Sequence, residues 1–466
     1  MRKLLCSLAI LAMIFAAVGG FAATEGKVYK YVPKTTAGKP IPKGFIKFEG
    51  YDTHNMAQFK AQNHLSYAMN QKIKNQGLKA KKGSFVKCTI DSIPCFQSWF
   101  ITGSRNSVYP YTIVGQAPTV GATTGINNQI IPLISVLTVG GVPLYVFDPT
   151  VASDPQGAAS VPSIGPGTDT GLLSQAPLYD ATTTYVGPPP ETGQYNDSHQ
   201  RVSFRKVAAA NWHTVLKKNF SSGVIWVQFL ESNNGEWACI KGEAPPCTSF
   251  PVFNINTISK NFSFILSAEL PPNNEIPIIL TDWLTAFDPS SGACCILGLH
   301  TAQAGIQDPL GALVWTWGTW IPYNADNGFT NPFNGGFGSN SMLLSHEVDE
   351  IFNDPFVNNA VSPWIDGSVS FAQANLETGD AIEAMAPADV LFDVTLTTTG
   401  GPFVYVVQNV PTLEWFFRTP FNGGIYSWPN EGSLSHNPHG VNCHMPLVCS
   451  WLYGQGSAGF FFGPPF

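Results

Sequence analysis

Charge is what this chain has least of. Its 466 residues carry 24 Lys and Arg against 31 Asp and Glu, a net charge of −7. So sparse a surface charge does not suit a helical bundle or a disordered chain, and its mildly acidic sign excludes a basic footprint for nucleic acid. Several chemical signatures are missing too. There is no Gly-x-Ser-x-Gly elbow of an acyl-transferring serine, no glycine loop leading into Lys-Ser/Thr to cradle phosphate, and no paired short cysteine spacing of a zinc knuckle. No internal repeat is evident. After the N-terminus the longest apolar run, Ile130 to Phe147, is broken by Pro132, Gly140-Gly141 and Pro143. It therefore reads as two core strands joined by a Gly-Gly turn, not as a membrane span.

The first apolar run has another reading. Arg2 and Lys3 precede an apolar core from Leu4 to Val18, and Gly20-Phe21-Ala22 is a small-x-small cleavage site. This is the layout of a secretory signal over residues 1–22, with no basic stop-transfer flank. Secretion, a periplasmic location or display at the cell surface follows as the expectation, with no integral membrane segment in the mature chain. Setting Cys6 aside, eight cysteines remain, an even number that reads as disulfides in an exported chain. Cys88–Cys95, Cys239–Cys247 and Cys443–Cys449 would close short loops, while Cys294 and Cys295 either form a vicinal bridge or stay as buried thiols.

What is plentiful is glycine (44), proline (37), phenylalanine (32) and tryptophan (12), a mixture suited to short strands and many turns. Most of the tryptophans lie in apolar strands and read as core. From His54 to Asn75 there is neither Pro nor Gly. Ala57, Ala61, Leu65, Met69 and Ile73 recur every four residues, giving one apolar helical stripe beside a lysine-rich face. That face reads as solvated surface; a propeptide or an anchor to an anionic surface is the alternative. Val151 to Pro190, rich in Gly, Pro, Ser and Thr, reads as a long exposed connection, with a boundary near Tyr195. Beyond it, Ile276–Leu280, Cys295–His300 and Ala312–Ile321 read as strands, the last either covered on both faces or lying at an aromatic edge.

The chemistry concentrates after these strands, in Ser345-His346-Glu347-Val348-Asp349-Glu350. Ser339, Asn340 or Ser341 can cap a helix here, and Pro355 ends it. Residues four apart share a helix face, so His346 and Glu350 can offer an imidazole nitrogen and a carboxylate to one ion. Glu347 projects beside them, placed to accept a proton from water as general base. Leu344, Val348, Ile351 and Phe352 form the opposite, core-facing stripe. The bland alternative is a capped surface helix with ordinary acidic residues.

This segment resembles the zincin metallopeptidases, with Glu350 where a second histidine normally stands. It is similar in more detail to exported His-Glu-x-x-Glu proteins, including the plant Exordium-like, phosphate-induced group. The shared run is Asn353-Asp354-Pro355, Val357-Asn358-Asn359, Trp364 and Glu377-Thr378-Gly379-Asp380. The resemblance implies an α+β fold, with a β-rich N-terminal region (23–195) preceding a zincin-like metal-binding domain (196–466) whose active-site helix spans about 341–352. It implies zinc on His346, Glu350 and Glu377, with Asp380 orienting His346 or ligating in its own right. A polypeptide would be the substrate. Two carboxylates and one imidazole cancel a dication's charge and leave its water less acidic than at a two-histidine site. Extra oxygen donors also favour Ca²⁺ or Mn²⁺. His300, His436 and His439 are candidates for a further ligand.

Overall fold

The computed structural model describes most of residues 86–434, the longest stretches not described being 151–167 and 322–337, together with the short strands Tyr29–Tyr31 and Lys47–Phe48. Residues 1–22, the stretch His54–Asn75, His436, His439 and the Cys443–Cys449 pair lie outside the described residues.

Strands form where β-branched and aromatic residues run together, giving a strand-rich fold with a few helices. The longest is Thr123–Val139, 17 residues. It lies between Ile225–Phe229 and Glu275–Asp282 in a sheet that continues to Ala312–Trp320 and Gly298–Ala304. Pairing along the middle of this sheet is parallel, and its last pair is antiparallel. Because Thr123–Val139 pairs with Glu275–Asp282, one sheet is shared by the segments on either side of Tyr195. Alternate residues feed two cores. Ile131, Leu133, Ile279, Trp315 and Trp317 pack with Ile258, Phe262 and Ile265 of the helix Ile255–Glu269. Ile130, Ile278, Leu280, Val314 and Trp320 pack on the other face with Leu344, Val348, Ile351 and Phe352. Ala312–Trp320 is thus covered on both faces.

The motif helix is Met342–Asn353. Ser341 holds its N-cap position without a capping side-chain bond; instead Asn340 Oδ1 accepts from the Ser341 N–H at 2.5 Å. The surface-helix alternative fails, since every residue of this helix is buried. Four fully buried apolar side chains at about 1.5–3 kcal/mol each help offset the desolvation of the acids on its other side. Two glycines let the helix come close. Gly298 and Gly318 face each other across adjacent strands. A Cβ at Gly318 would lie 2.7 Å from Leu344, and one at Gly298 would lie 2.6 Å from Glu347 Oε1. The helix therefore rests Leu344 and Glu347, three residues apart, on bare backbone.

Three expectations need correction. Gly140-Gly141 does join two antiparallel strands, Val139 facing Val142. However, Val142–Phe147 is core on one face only: Phe147 is buried and Tyr145 packs against the core, while Val142, Leu144 and Val146 on the other face are open to solvent. The described part of the expected linker is packed structure: Leu172, Leu173, Leu178, Tyr179 and Tyr185 are buried. The turn-rich composition hid this apolar set. Finally, Cys295–His300 is not one strand; Ala293–Ile296 and Gly298–Ala304 belong to different sheets.

Cys239 and Cys247 form a disulfide, and Cys88 stands opposite Cys95 in its strand pair. Among the described residues, no helix is long and apolar enough to cross a membrane.

Candidate metal centre

One helical turn brings His346 and Glu350 together, with Nε2 of the ring 3.2 Å from Glu350 Oε2. Asp380 reaches the same nitrogen, its Oδ1 at 3.4 Å. The other ring nitrogen is engaged elsewhere. Gln408 ends the strand Gly401–Gln408, and its Oε1 lies 2.6 Å from His346 Nδ1. An amide oxygen can only accept, so Nδ1 carries the proton and Nε2 is the nitrogen turned toward the carboxylates. Gln408 Nε2 in turn donates to the Gly379 carbonyl at 2.7 Å. The Gly379 N–H donates to Glu350 Oε1 at 2.9 Å, leaving Oε2 to face the imidazoles.

Gly379 is required by this packing. A Cβ there would stand 2.1 Å from His346 Nδ1. The turn Glu377-Thr378-Gly379 thus lies flat against the ring, and a 3₁₀ turn, Asp380–Ile382, follows instead of an α-helix. This geometry separates the two acids of the Glu-x-Gly-Asp element. Asp380, expected to orient His346 or to ligate, faces the same Nε2 as Glu350, while the orienting acceptor on Nδ1 is Gln408. Glu377, expected beside His346 and Glu350, has its Oε2 3.8 Å from His300 Nε2 and forms no three-residue group with those two.

His300 comes from the neighbouring strand Gly298–Ala304. Its Nδ1 lies 3.2 Å from Glu347 Oε2 and 3.1 Å from Glu350 Oε2. Two overlapping groups result, His300 with Glu347 and Glu350, and His346 with Glu350 and Asp380, each having its donor atoms within 4.8 Å of one another. All of these side chains are buried. Metal bonds of about 2.0–2.1 Å at the tetrahedral angle set neighbouring donor atoms about 3.3 Å apart, which matches the imidazole–carboxylate separations in both sets. These buried groups can hold a metal ion, and their donor types do not single out one metal.

Without an ion, the two rings hold protons instead. Burial opposes a charge on His300, but hydrogen bonds to Glu347 and Glu350 and the nearby Glu377 outweigh it, and the imidazole is pushed up to about 10. His346 behaves alike. Burial pulls its pKa down, and Glu350, with help from Asp380, raises it well above the ordinary histidine value.

Outside these donors, Asp349 ties the pieces together. Its Oδ2 accepts from Thr378 Oγ1 at 2.7 Å and lies 2.8 Å from His199 Nδ1. Asn353 Nδ2 adds a 3.3 Å contact to Oδ1. His199 belongs to the helix Tyr195–Ser203, which packs along the motif helix. The Asn-Asp-Pro and Val-Asn-Asn run is a helix stop: Asp354 Oδ2 accepts from the Asn359 N–H at 2.9 Å, and the Asn359 amide pairs both ways with the Thr112 backbone at 2.7 Å. Gln408, His199 and Asp349 are the residues that sequence reasoning missed. Asp349 alone had a signal, its place in the motif.

No protein-family model matches the chain, and searches of characterised proteins and of solved structures return no significant match.

Proposed function

We propose that this chain is an exported zinc-dependent hydrolase, acting most naturally on polypeptides. The convergence of His346 Nε2 with Glu350 Oε2 and Asp380 Oδ1, at separations of 3.2 and 3.4 Å, carries this reading. An ion bound there would supply Lewis acidity and an activated water. Gln408 orients the imidazole, the Gly379 N–H orients Glu350, and Glu347, next to Glu350's turn and 3.2 Å from His300, takes the proton. Removal of a general base costs on the order of 10²–10⁴ in rate. Purified protein should therefore contain zinc by elemental analysis, and Glu347→Gln should lose at least a hundredfold in peptide cleavage. Cleavage unchanged in that variant would end the assigned role.

A second reading is favoured by one observation, the burial of His300, His346, Glu347, Glu350, Glu377 and Asp380. So enclosed a centre also suits an exported binding or surface protein whose ion, Ca²⁺, Mn²⁺ or Zn²⁺, is structural. Chelation would then lower the melting temperature with no hydrolysis to lose.

A further inference from the structure

The donor atoms fall into two sets, and one atom belongs to both. Glu350 Oε2 is 3.2 Å from His346 Nε2 and 3.1 Å from His300 Nδ1. Its sister oxygen is taken by the Gly379 N–H, so Oε2 alone is turned toward both rings. The two imidazoles come from different elements, a helix and a strand, and do not fall into one common group with Glu350. A single ion would satisfy one ring and leave the other beside its own carboxylates.

We propose that the centre takes a second divalent cation on His300 Nδ1 and Glu347 Oε2, with Glu350 Oε2 as the ligand shared between the two ions. The inference rests on the first ion assigned above to His346, Glu350 and Asp380. Three features of the second set are those of a built site. Its donor separations, 3.1 and 3.2 Å, are ligand–ligand edges of one coordination sphere. Glu347 is seated against Gly298, where any side chain would collide with its carboxylate. Behind the ring, His300 Nε2 points toward Glu377 Oε2 at 3.8 Å. At that separation the pair is longer than a hydrogen bond, and the carboxylate acts through its charge, favouring a proton on the ring nitrogen that faces it. Each imidazole thus has one nitrogen among metal donors and the other facing an acceptor, Gln408 for His346 and Glu377 for His300.

A carboxylate shared in this way holds two ions about 3.5–4 Å apart. With both in place Glu347 is a ligand and no longer a base, so the singly loaded form is the hydrolytic one. The two roles of Glu347 are exclusive, and the amount of metal bound decides between them.

The test is a titration of the full chain, stripped with a chelator and dialysed, with Mn²⁺ alone. Elemental analysis after gel filtration gives the stoichiometry, and electron paramagnetic resonance reports whether the ions sense each other. The expected result is two equivalents, with the six-line signal of the first broadened away as the second binds. His300→Gln and, independently, Glu347→Gln should each take one equivalent and keep the six lines. One equivalent in the unaltered chain overturns the second site and leaves the first standing. Two equivalents with undisturbed six-line spectra, or two in both variants, also overturn it, since the second ion would then lie elsewhere. No bound metal at all overturns the first site and the second together.

Discussion

Gly379 carries the strictest demand of any residue around the centre. It offers its N–H to Glu350, its carbonyl to Gln408, and its missing side chain to the His346 ring. Gly379→Ala keeps every donor atom yet drives a methyl group into the imidazole. We expect at least a tenfold weaker hold on zinc, measured by competition with a chelating dye; an unchanged affinity would mean that the turn gives way freely. The two rings make a second prediction. In the ion-free chain His300 stays protonated up to about pH 10, against an ordinary value of 6.5. The stability this proton brings is full below pH 6.5 and is lost as pH rises through 10. An ion needs the same nitrogen neutral, so its binding strengthens over that interval. The rise in melting temperature on adding zinc should therefore be small at pH 6 and larger at pH 9, by scanning fluorimetry. A gain independent of pH would place the ion away from both histidines.

At the scale of elements, the motif helix is held by a carboxylate that binds no ion in this scheme. Asp349 joins it to the Glu-Thr-Gly-Asp turn through Thr378 and to the helix Tyr195–Ser203 through His199. Removing one member of such a buried pair costs about 3–5 kcal/mol. Asp349→Ala should lower stability by about that much in urea titration, with zinc affinity falling as the turn loosens; Thr378→Val, losing one hydrogen bond, should cost about 1–2 kcal/mol. A stable, fully loaded Asp349→Ala protein would refute the anchoring role. The sequence makes part of this legible. Spacing alone puts His346 and Glu350 on one face and Leu344, Val348, Ile351 and Phe352 on the other, because helical periodicity is local. The Gly140-Gly141 turn is equally local. Gln408 and His199 are not legible, since they approach from strands and helices 62 and 150 residues away from their partners, and a lone Gln or His carries no mark of what it will face. The separation of Glu377 from Asp380 is not legible for another reason: it follows from the turn that Gly379 closes against the His346 ring, a contact that the spacing of the element does not record.

At the scale of the molecule, the largest sheet among the described residues is mixed, and its long strand from early in the chain lies between two strands from much later. Parallel partners separated this far leave no periodic signature, so the sharing of one sheet across Tyr195 could not be read in advance. Composition did suggest a strand-rich body with buried tryptophans, and Trp212, Trp237, Trp283, Trp317, Trp320 and Trp428 are fully buried. The Cys239–Cys247 bridge suits an oxidising compartment. Export with removal of residues 1–22 predicts a mature chain starting at Ala23, which intact-mass measurement on secreted material would check; retention of Met1–Ala22 would remove the argument for a cleaved signal.

The facing glycines Gly298 and Gly318 have a wider effect than their size suggests. Where a helix sits on ordinary side chains, those chains act as padding and absorb small displacements. Here the padding is gone, and Glu347 touches the floor of the sheet directly. Flexing of those two strands is passed on to the acids above them, so the stiffness of the sheet sets how steadily those acids can hold their positions.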